Sequence, residues 1–190
     1  VAVNCLIYWG SSALTAGKYH YDFTMAFDRE VPLLPVFVWF YILAFPFWAV
    51  GYLLAARRGR DMFYRFVATD LTIHFICFIC FILIPTTNIR PEIAGNTLSE
   101  KLLALVYSLD GGNSPSNLFP SIHCYVSWMC WKGVEGSEKV PKWYQRFSLV
   151  FAILIIISTQ VLKQHYIEDA VAALLLVEFF WRFYQKGQRH

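Results

Sequence analysis

Three stretches of the chain, Pro35–Ala55, Phe63–Pro85 and Phe147–Leu162 with its flanks, are largely apolar over the length a helix needs to cross a bilayer. That pattern constrains the fold more than any other feature. A soluble domain of 190 residues cannot hide so much apolar surface in one core, because its outside must be wet. Composition agrees: 57% of the residues are hydrophobic and only 15% charged, against roughly 25% charged in soluble domains. Disorder, a nucleic-acid-binding tail and an ordinary soluble enzyme are excluded. The expected fold class is all-α: one polytopic membrane domain over residues 1–190. Six helices of about 20 residues use about 120 residues and leave room only for short loops.

The six expected spans are Val1–Leu14, Pro35 to just before Arg57, Met62–Pro85, Phe119–Gly133, Phe147–Lys163, and His165 to just before Arg182. The first is short and has no initiator Met, so the native chain is expected to extend beyond Val1. A cleaved signal peptide is the rival reading, but no A-x-A-like site follows. Tyr19 to Phe27 interleaves aromatics with charges, as suits a membrane interface. In the long connection Thr86–Leu118, Thr97 and Glu100 form a capping box. It opens an amphipathic helix with an apolar stripe of Leu98, Leu102, Leu105 and Val106, ended by Gly111-Gly112.

Lys and Arg set the orientation. Eleven fall on the side of Arg57–Arg65, Lys132–Arg146 and Arg182–Arg189, and five on the other. The first side is expected to be cytoplasmic, with both termini inside and Thr86–Leu118 outside. Cys77-x-x-Cys80 has no second ligand pair at zinc-site spacing and reads as small apolar residues in a buried helix.

This topology brings three distant polar groups to one outer face: Asn88-Ile89-Arg90-Pro91, Pro120-Ser121-Ile122-His123 and His165-Tyr166-Ile167-Glu168-Asp169. Arg90 offers a fork of donors that matches phosphate. Ser121 sits at a helix N-terminus, a natural anion site. His123 and His165 can serve as general acid and nucleophile. Asp169 is four residues after His165, so the carboxylate can orient the imidazole and stabilise its charge. Two histidines and a carboxylate around an anion site read as phosphoryl transfer through a phosphohistidine. Glu168 is expected to face away from His165 into solvent. Asp70, His74 and Glu178 lie deep in spans, toward the cytoplasmic half. They are expected to bridge helices rather than carry protons or substrate.

These residues resemble the signature of the type 2 phosphatidic acid phosphatases, the metal-independent lipid phosphatases and phosphotransferases. That signature reads K-x6-R-P, then P-S-G-H, then S-R-x5-H-x3-D. Arg90-Pro91 ends the first part; Pro120-Ser121-Ile122-His123 matches the second with Ile for Gly; Ser158, His165 and Asp169 match the third in spacing. The resemblance implies that His165 attacks phosphorus, Asp169 orients it, and His123 protonates the leaving alcohol. Arg90 and Ser121 would hold the phosphate. Leu83 and Thr159 stand where the pattern has Lys and Arg, so two cations are missing. Lys163 is expected to supply one, and Gln164, Asn88 and Thr87 neutral donors. Lys163-Gln164-His165-Tyr166 is similar to the branch related to inositol phosphorylceramide and sphingomyelin synthases.

The expected function is therefore hydrolysis of a lipid phosphate monoester or diphosphate at the outer face, with no cofactor and no metal. The alternatives are a phosphotransferase with an alcohol acceptor and a non-enzymatic lipid transporter or scramblase. The expected partners are a lipid phosphate substrate and membrane lipids, with no nucleic acid. The expected location is the plasma membrane. The number of subunits and the substrate head group stay open.

Overall fold

The computed structural model describes residues 2–112 and 115–186, except the side chains of 2–6 and 186. Its elements in chain order are α1 (Ala2–Thr15), β1 (Tyr21–Asp22), α2 (Ala26–Glu30), a 3-10 turn (Pro35–Phe37), α3 (Val38–Ala56), α4 (Arg60–Leu83), β2 (Thr86–Thr87), α5 (Leu98–Leu109), α6 (Ile122–Val134), α7 (Lys142–Val161) and α8 (Ile167–Lys186). Among the described residues, three helical stretches are long and apolar enough to cross a membrane: Pro35–Ala56, Arg60–Leu83 and Lys142–Val161. Their outward faces stay uncovered. Leu71 and Phe75 on α4, and Val150, Ile153 and Ile157 on α7, are all exposed. A water-soluble monomer rarely leaves such contiguous apolar stripes bare, and a lipid environment accounts for them.

The bundle is organised around α6, which packs against α3, α4, α7 and α8, while α1 lies on α4. At 13 residues α6 is about 20 Å long. Cys124, Tyr125, Met129 and Cys130 on it are fully buried, so it is surrounded by protein rather than by lipid. Close approach requires glycine twice. A Cβ on Gly51 of α3 would lie 2.5 Å from Cys130 Sγ, and one on Gly133 would lie 2.8 Å from the Phe66 ring. Polar bridges fix the rotation of α6. The Tyr125 hydroxyl meets the His74 ring at 2.6 Å, Trp48 Nε1 donates to Ser127 Oγ at 2.9 Å, and Trp128 Nε1 donates to Glu178 at 3.0 Å. His74 also pairs with Asp70 at 3.3 Å. Thus His74 and Glu178 join α4 and α8 to α6. Cys77 and Cys80 are free thiols.

Two details differ from the sequence reading. The packed face of α5 is centred on Leu103 and Tyr107, both buried, with Leu102 and Val106 of the expected stripe partly buried against the same core, whereas Leu98 and Leu105 are exposed. Leu103 and Tyr107 are one turn apart and meet Val38, Tyr41 and Leu162 in a second small core. The capping box itself is present, with Thr97 Oγ1 accepting from the Glu100 amide at 3.2 Å. The second difference is a short parallel pairing of β1 with β2. It ties the exposed aromatic segment Tyr19–Phe27 to the chain leaving α4, and its two-residue strands are too short to show periodicity.

Candidate active site

The N-terminal ends of α6 and α8 are docked directly on each other. The Ser121 amide donates to the Asp169 carbonyl at 3.2 Å. The Ser121 side chain caps α6 by accepting from the Cys124 amide at 3.3 Å. On α8, one oxygen of Asp169, Oδ2, takes two hydrogen bonds. The Tyr166 amide donates to it at 3.0 Å, and His165 Nδ1 lies 3.3 Å away. Asp169 is 2% exposed and His165 8% exposed, so water competes little for this contact. With Nδ1 occupied, the other ring nitrogen of His165, Nε2, is the one left for chemistry.

The turn that presents His165 is stabilised by the backbone. The amides of Gln164 and His165 both donate to the Thr159 carbonyl, at 2.9 and 3.0 Å. Lys163 adopts a left-handed conformation with φ 54°, the conformation that stops a helix at its C-terminus. Asn88 Nδ2 clamps this turn by donating to the Lys163 carbonyl at 3.0 Å. Among the described residues Asn88 Oδ1 and Gln164 Nε2 are buried without a hydrogen-bond partner.

His123 comes from the first turn of α6. Its ring centroid is 6.2 Å from that of His165. Three aromatic side chains of α3 surround it: Tyr41 stacked at 4.2 Å, Trp48 at 5.0 Å and Phe45 edge-on at 5.9 Å. His123 Nε2 is buried and has no hydrogen-bond partner among the described residues. Both histidines line one cavity of about 230 Å³ whose walls are mostly apolar, including Trp9, Phe45, Trp48, Val106 and Leu109. Asp110 and Asn117 are its other polar boundaries.

Arg90 stands behind that cavity rather than on its wall. It is 3% exposed. Its Nη1 donates to the carbonyls of Asp110 and Gly112 at 3.0 and 3.1 Å. Its Nη2 donates to the Asp110 carboxylate and, at 2.5 Å, to Gln164 Oε1. The guanidinium carbon lies 4.7 Å over the Tyr107 ring. Burial pushes the Tyr107 phenol up to about 12, so it stays protonated and donates to the Leu162 carbonyl at 2.7 Å. The second oxygen of Asp110 accepts from the Tyr8 hydroxyl. A buried guanidinium needs a counter-charge, and Asp110 supplies it.

Of the residues singled out from sequence, His123, His165, Asp169 and Ser121 are brought together, with Arg90 and Gln164 adjoining through Asp110 and the His165 turn. Asn88 supports that turn from below. Lys163 is not brought to the cavity. Its ammonium turns away and donates to the carbonyls of Asp28 and Val31, both at 2.6 Å. Burial lowers its pKa while nearby Asp28 raises it. Glu168 is not solvated as expected, since both carboxylate oxygens are buried and lack a hydrogen-bond partner among the described residues. Sequence reasoning missed Asp110 and Asp28. Asp28 is 2% exposed, and its carboxylate accepts from the Ile167 amide at 3.1 Å and the Met25 amide at 2.8 Å, fastening α2 to the start of α8. Asp110 sits just before Gly111-Gly112 at the end of α5, and that position was the one available signal.

The site thus combines a buried imidazole held by a carboxylate and a second imidazole on one cavity, with a buried guanidinium behind it, on a helical bundle with membrane-type spans. The family model of the PAP2 superfamily matches residues 19–181. The chain belongs to that superfamily, the type 2 phosphatidic acid phosphatases, and its membership supports a lipid phosphatase or phosphotransferase type of function. No curated protein and no solved structure matches the chain.

Proposed function

We propose that this protein is a lipid phosphatase that works through a phosphohistidine on His165. The observation that carries the reading is the contact between His165 Nδ1 and Asp169 Oδ2 at 3.3 Å, with the His123 ring across the same cavity. In the first step His165 Nε2 attacks phosphorus. The bond from phosphorus to the lipid oxygen breaks, and His123 gives its proton to that oxygen. Asp169 balances the positive charge that develops on the phosphorylated imidazole. In the second step His123, now neutral, takes a proton from water. The hydroxide formed attacks phosphorus, the N–P bond breaks, inorganic phosphate leaves and His165 is restored. Arg90 and the amides at the start of α6 hold the phosphate oxygens, with the phosphate taking the place of the Asp110 carboxylate at Arg90.

The apolar cavity walls suit a lipid that enters laterally from the bilayer. In this reading α1, α3, α4, α6, α7 and α8 form six membrane-crossing segments, the histidines lie at the outer face of the plasma membrane, and both ends are cytoplasmic. The Lys and Arg asymmetry supports that orientation. A second reading, transfer of the phosphoryl-bearing head group to an alcohol, is favoured by one observation: the cavity beside the two histidines is lined mainly by aromatic and aliphatic side chains, a better host for a lipid alcohol than for bulk water.

The test is phosphate release by detergent-solubilised protein, in EDTA, from a panel of phosphatidate, phosphatidylglycerol phosphate and isoprenoid diphosphates. Release from one class, abolished by His165→Ala, is expected. Undiminished release from His165→Ala overturns the mechanism. Label appearing in an added alcohol rather than in phosphate selects the transferase.

A further inference from the structure

A second polar cavity, of about 380 Å³, lies at the opposite end of the bundle. It is lined by Arg58, Arg65, Lys132 and Arg182, by Glu135 and Glu178, and by Met62, Trp181 and Gln185. Asp169 and Arg182 bound the helix α8 between the two sites. Thirteen residues at 1.5 Å each separate them by about 20 Å. The cavity is therefore distinct from the histidine site.

Its charges do not balance. Both carboxylates are matched. Glu135 meets Lys132 at 2.7 Å, and Glu178 meets Arg182 at 3.3 Å and Lys132 at 3.5 Å. The two remaining guanidiniums hydrogen-bond neutral groups and share Glu135, already paired with Lys132, as their nearby carboxylate. Arg58 Nη1 donates to the carbonyls of Gly133 and Glu135, both at 3.0 Å. Arg65 Nε donates to the Trp181 carbonyl at 2.9 Å, its Nη2 donates to Gln185 Oε1 at 3.1 Å, and its plane covers the Trp181 ring at 4.2 Å. Among the described residues, four cations less two carboxylates leave a charge of +2 in one cavity. Arg65 is 8% exposed, and two guanidiniums sharing a partly dry cavity repel unless an anion enters.

The surroundings say which anion. Phe179 and Phe183 follow the cavity residues Glu178 and Arg182 on α8, Phe63 follows Met62 on α4, and all three rings are exposed. Those rings offer a track for acyl chains beside the guanidiniums, which a water-soluble anion would not use. We propose that this cavity binds the phosphodiester head group of an anionic phospholipid, with Arg58 and Arg65 holding the phosphate and the aromatic side chains of α8 lying along its tails. The site follows from the charge count and does not depend on the phosphatase chemistry. It does assume that the bundle sits in a membrane.

The experiment measures binding to the purified full chain, in phosphatidylcholine mixed micelles, of added phosphatidylglycerol, further phosphatidylcholine or inorganic phosphate, read by native mass spectrometry and by the thermal unfolding temperature. Phosphatidylglycerol is expected to bind and to stabilise, and Arg58→Gln is expected to weaken it about fivefold, as suits loss of one cation near a membrane surface. Arg65→Gln should do the same. Should that variant fail to fold, Arg58→Gln decides, because Arg58 lies outside the helices. Phosphate release by Arg58→Gln should equal that of the unaltered protein. Equal binding of phosphatidylcholine and phosphatidylglycerol, equal stabilisation by inorganic phosphate, or unchanged phosphatidylglycerol affinity in Arg58→Gln would each overturn the proposal.

Discussion

Replacing Asp169 by Asn tests the proposed chemistry with little disturbance of the fold. A single carboxylate oxygen, Oδ2, serves both the Tyr166 amide at 3.0 Å and His165 Nδ1 at 3.3 Å. An Asn side chain can place its amide oxygen there and keep both bonds. What it loses is the charge. When His165 carries the phosphoryl group its ring is cationic, and a carboxylate at 3.3 Å then contributes up to about 5 kcal/mol at an effective dielectric of about 20. Net measurements of hydrogen bonds to charged groups reach about 3 kcal/mol. At 1.36 kcal/mol per decade, kcat should therefore fall by roughly two to four decades. The assay is the initial rate of phosphate release from the best substrate of the panel, with the unfolding temperature recorded in parallel. Asp169→Asn should unfold within a few degrees of the parent, whereas Asp169→Ala should lose both activity and stability. A folded Asp169→Asn protein that keeps kcat within about fivefold of the parent would refute the role of the carboxylate as a charge partner.

Three further outcomes follow from the packing and the ion pairs. Asp110→Asn releases Arg90 from its ionic partner, so orthovanadate should inhibit about five- to tenfold more tightly; weaker inhibition would mean that Asp110 positions Arg90 rather than competing with phosphate. Lys163→Gln should change KM by less than about twofold, because its ammonium already serves the Asp28 and Val31 carbonyls, but should cost about 1.5–3 kcal/mol of stability. A tenfold rise in KM at unchanged stability would contradict that. Gly51→Ala places a Cβ 2.5 Å from Cys130 Sγ and should destabilise the bundle by about 1–3 kcal/mol. That corresponds to an unfolding temperature lower by about 2–12 °C for a chain of this size; an unchanged value would mean that α3 and α6 are farther apart.

Much of the architecture could be read from one-dimensional patterns. The apolar runs located α3, α4 and α7, and Thr97 with Glu100 marked the start of α5. These signals are local, because a helix end or a cap depends on residues within one turn. The spacing of His165 and Asp169 is local in the same sense, since residues four apart share a helix face. The stripe assigned to α5 shows where such reading ends. Leu102 and Val106 of that stripe do pack on the small core while Leu98 and Leu105 do not, and only the presence of Val38, Tyr41 and Leu162 centres the packed face on Leu103 and Tyr107.

The same division runs through the candidate site. Sequence alone determined which groups were available: with only 15% of its residues charged, the chain offers few ionisable groups on the expected outer side, and Arg90, His123, His165 and Asp169 stand out among them. Tertiary structure decided what each one faces. It set His123 against Tyr41 and Trp48, gave Arg90 to Asp110 and Gln164, and turned Lys163 toward Asp28. The physical reason is that a long flexible cation such as Lys163 goes to the nearest buried carbonyls, and a buried guanidinium takes the nearest carboxylate. Those neighbours come from segments 20 to 135 residues away, so their identity exists only once the helices have packed.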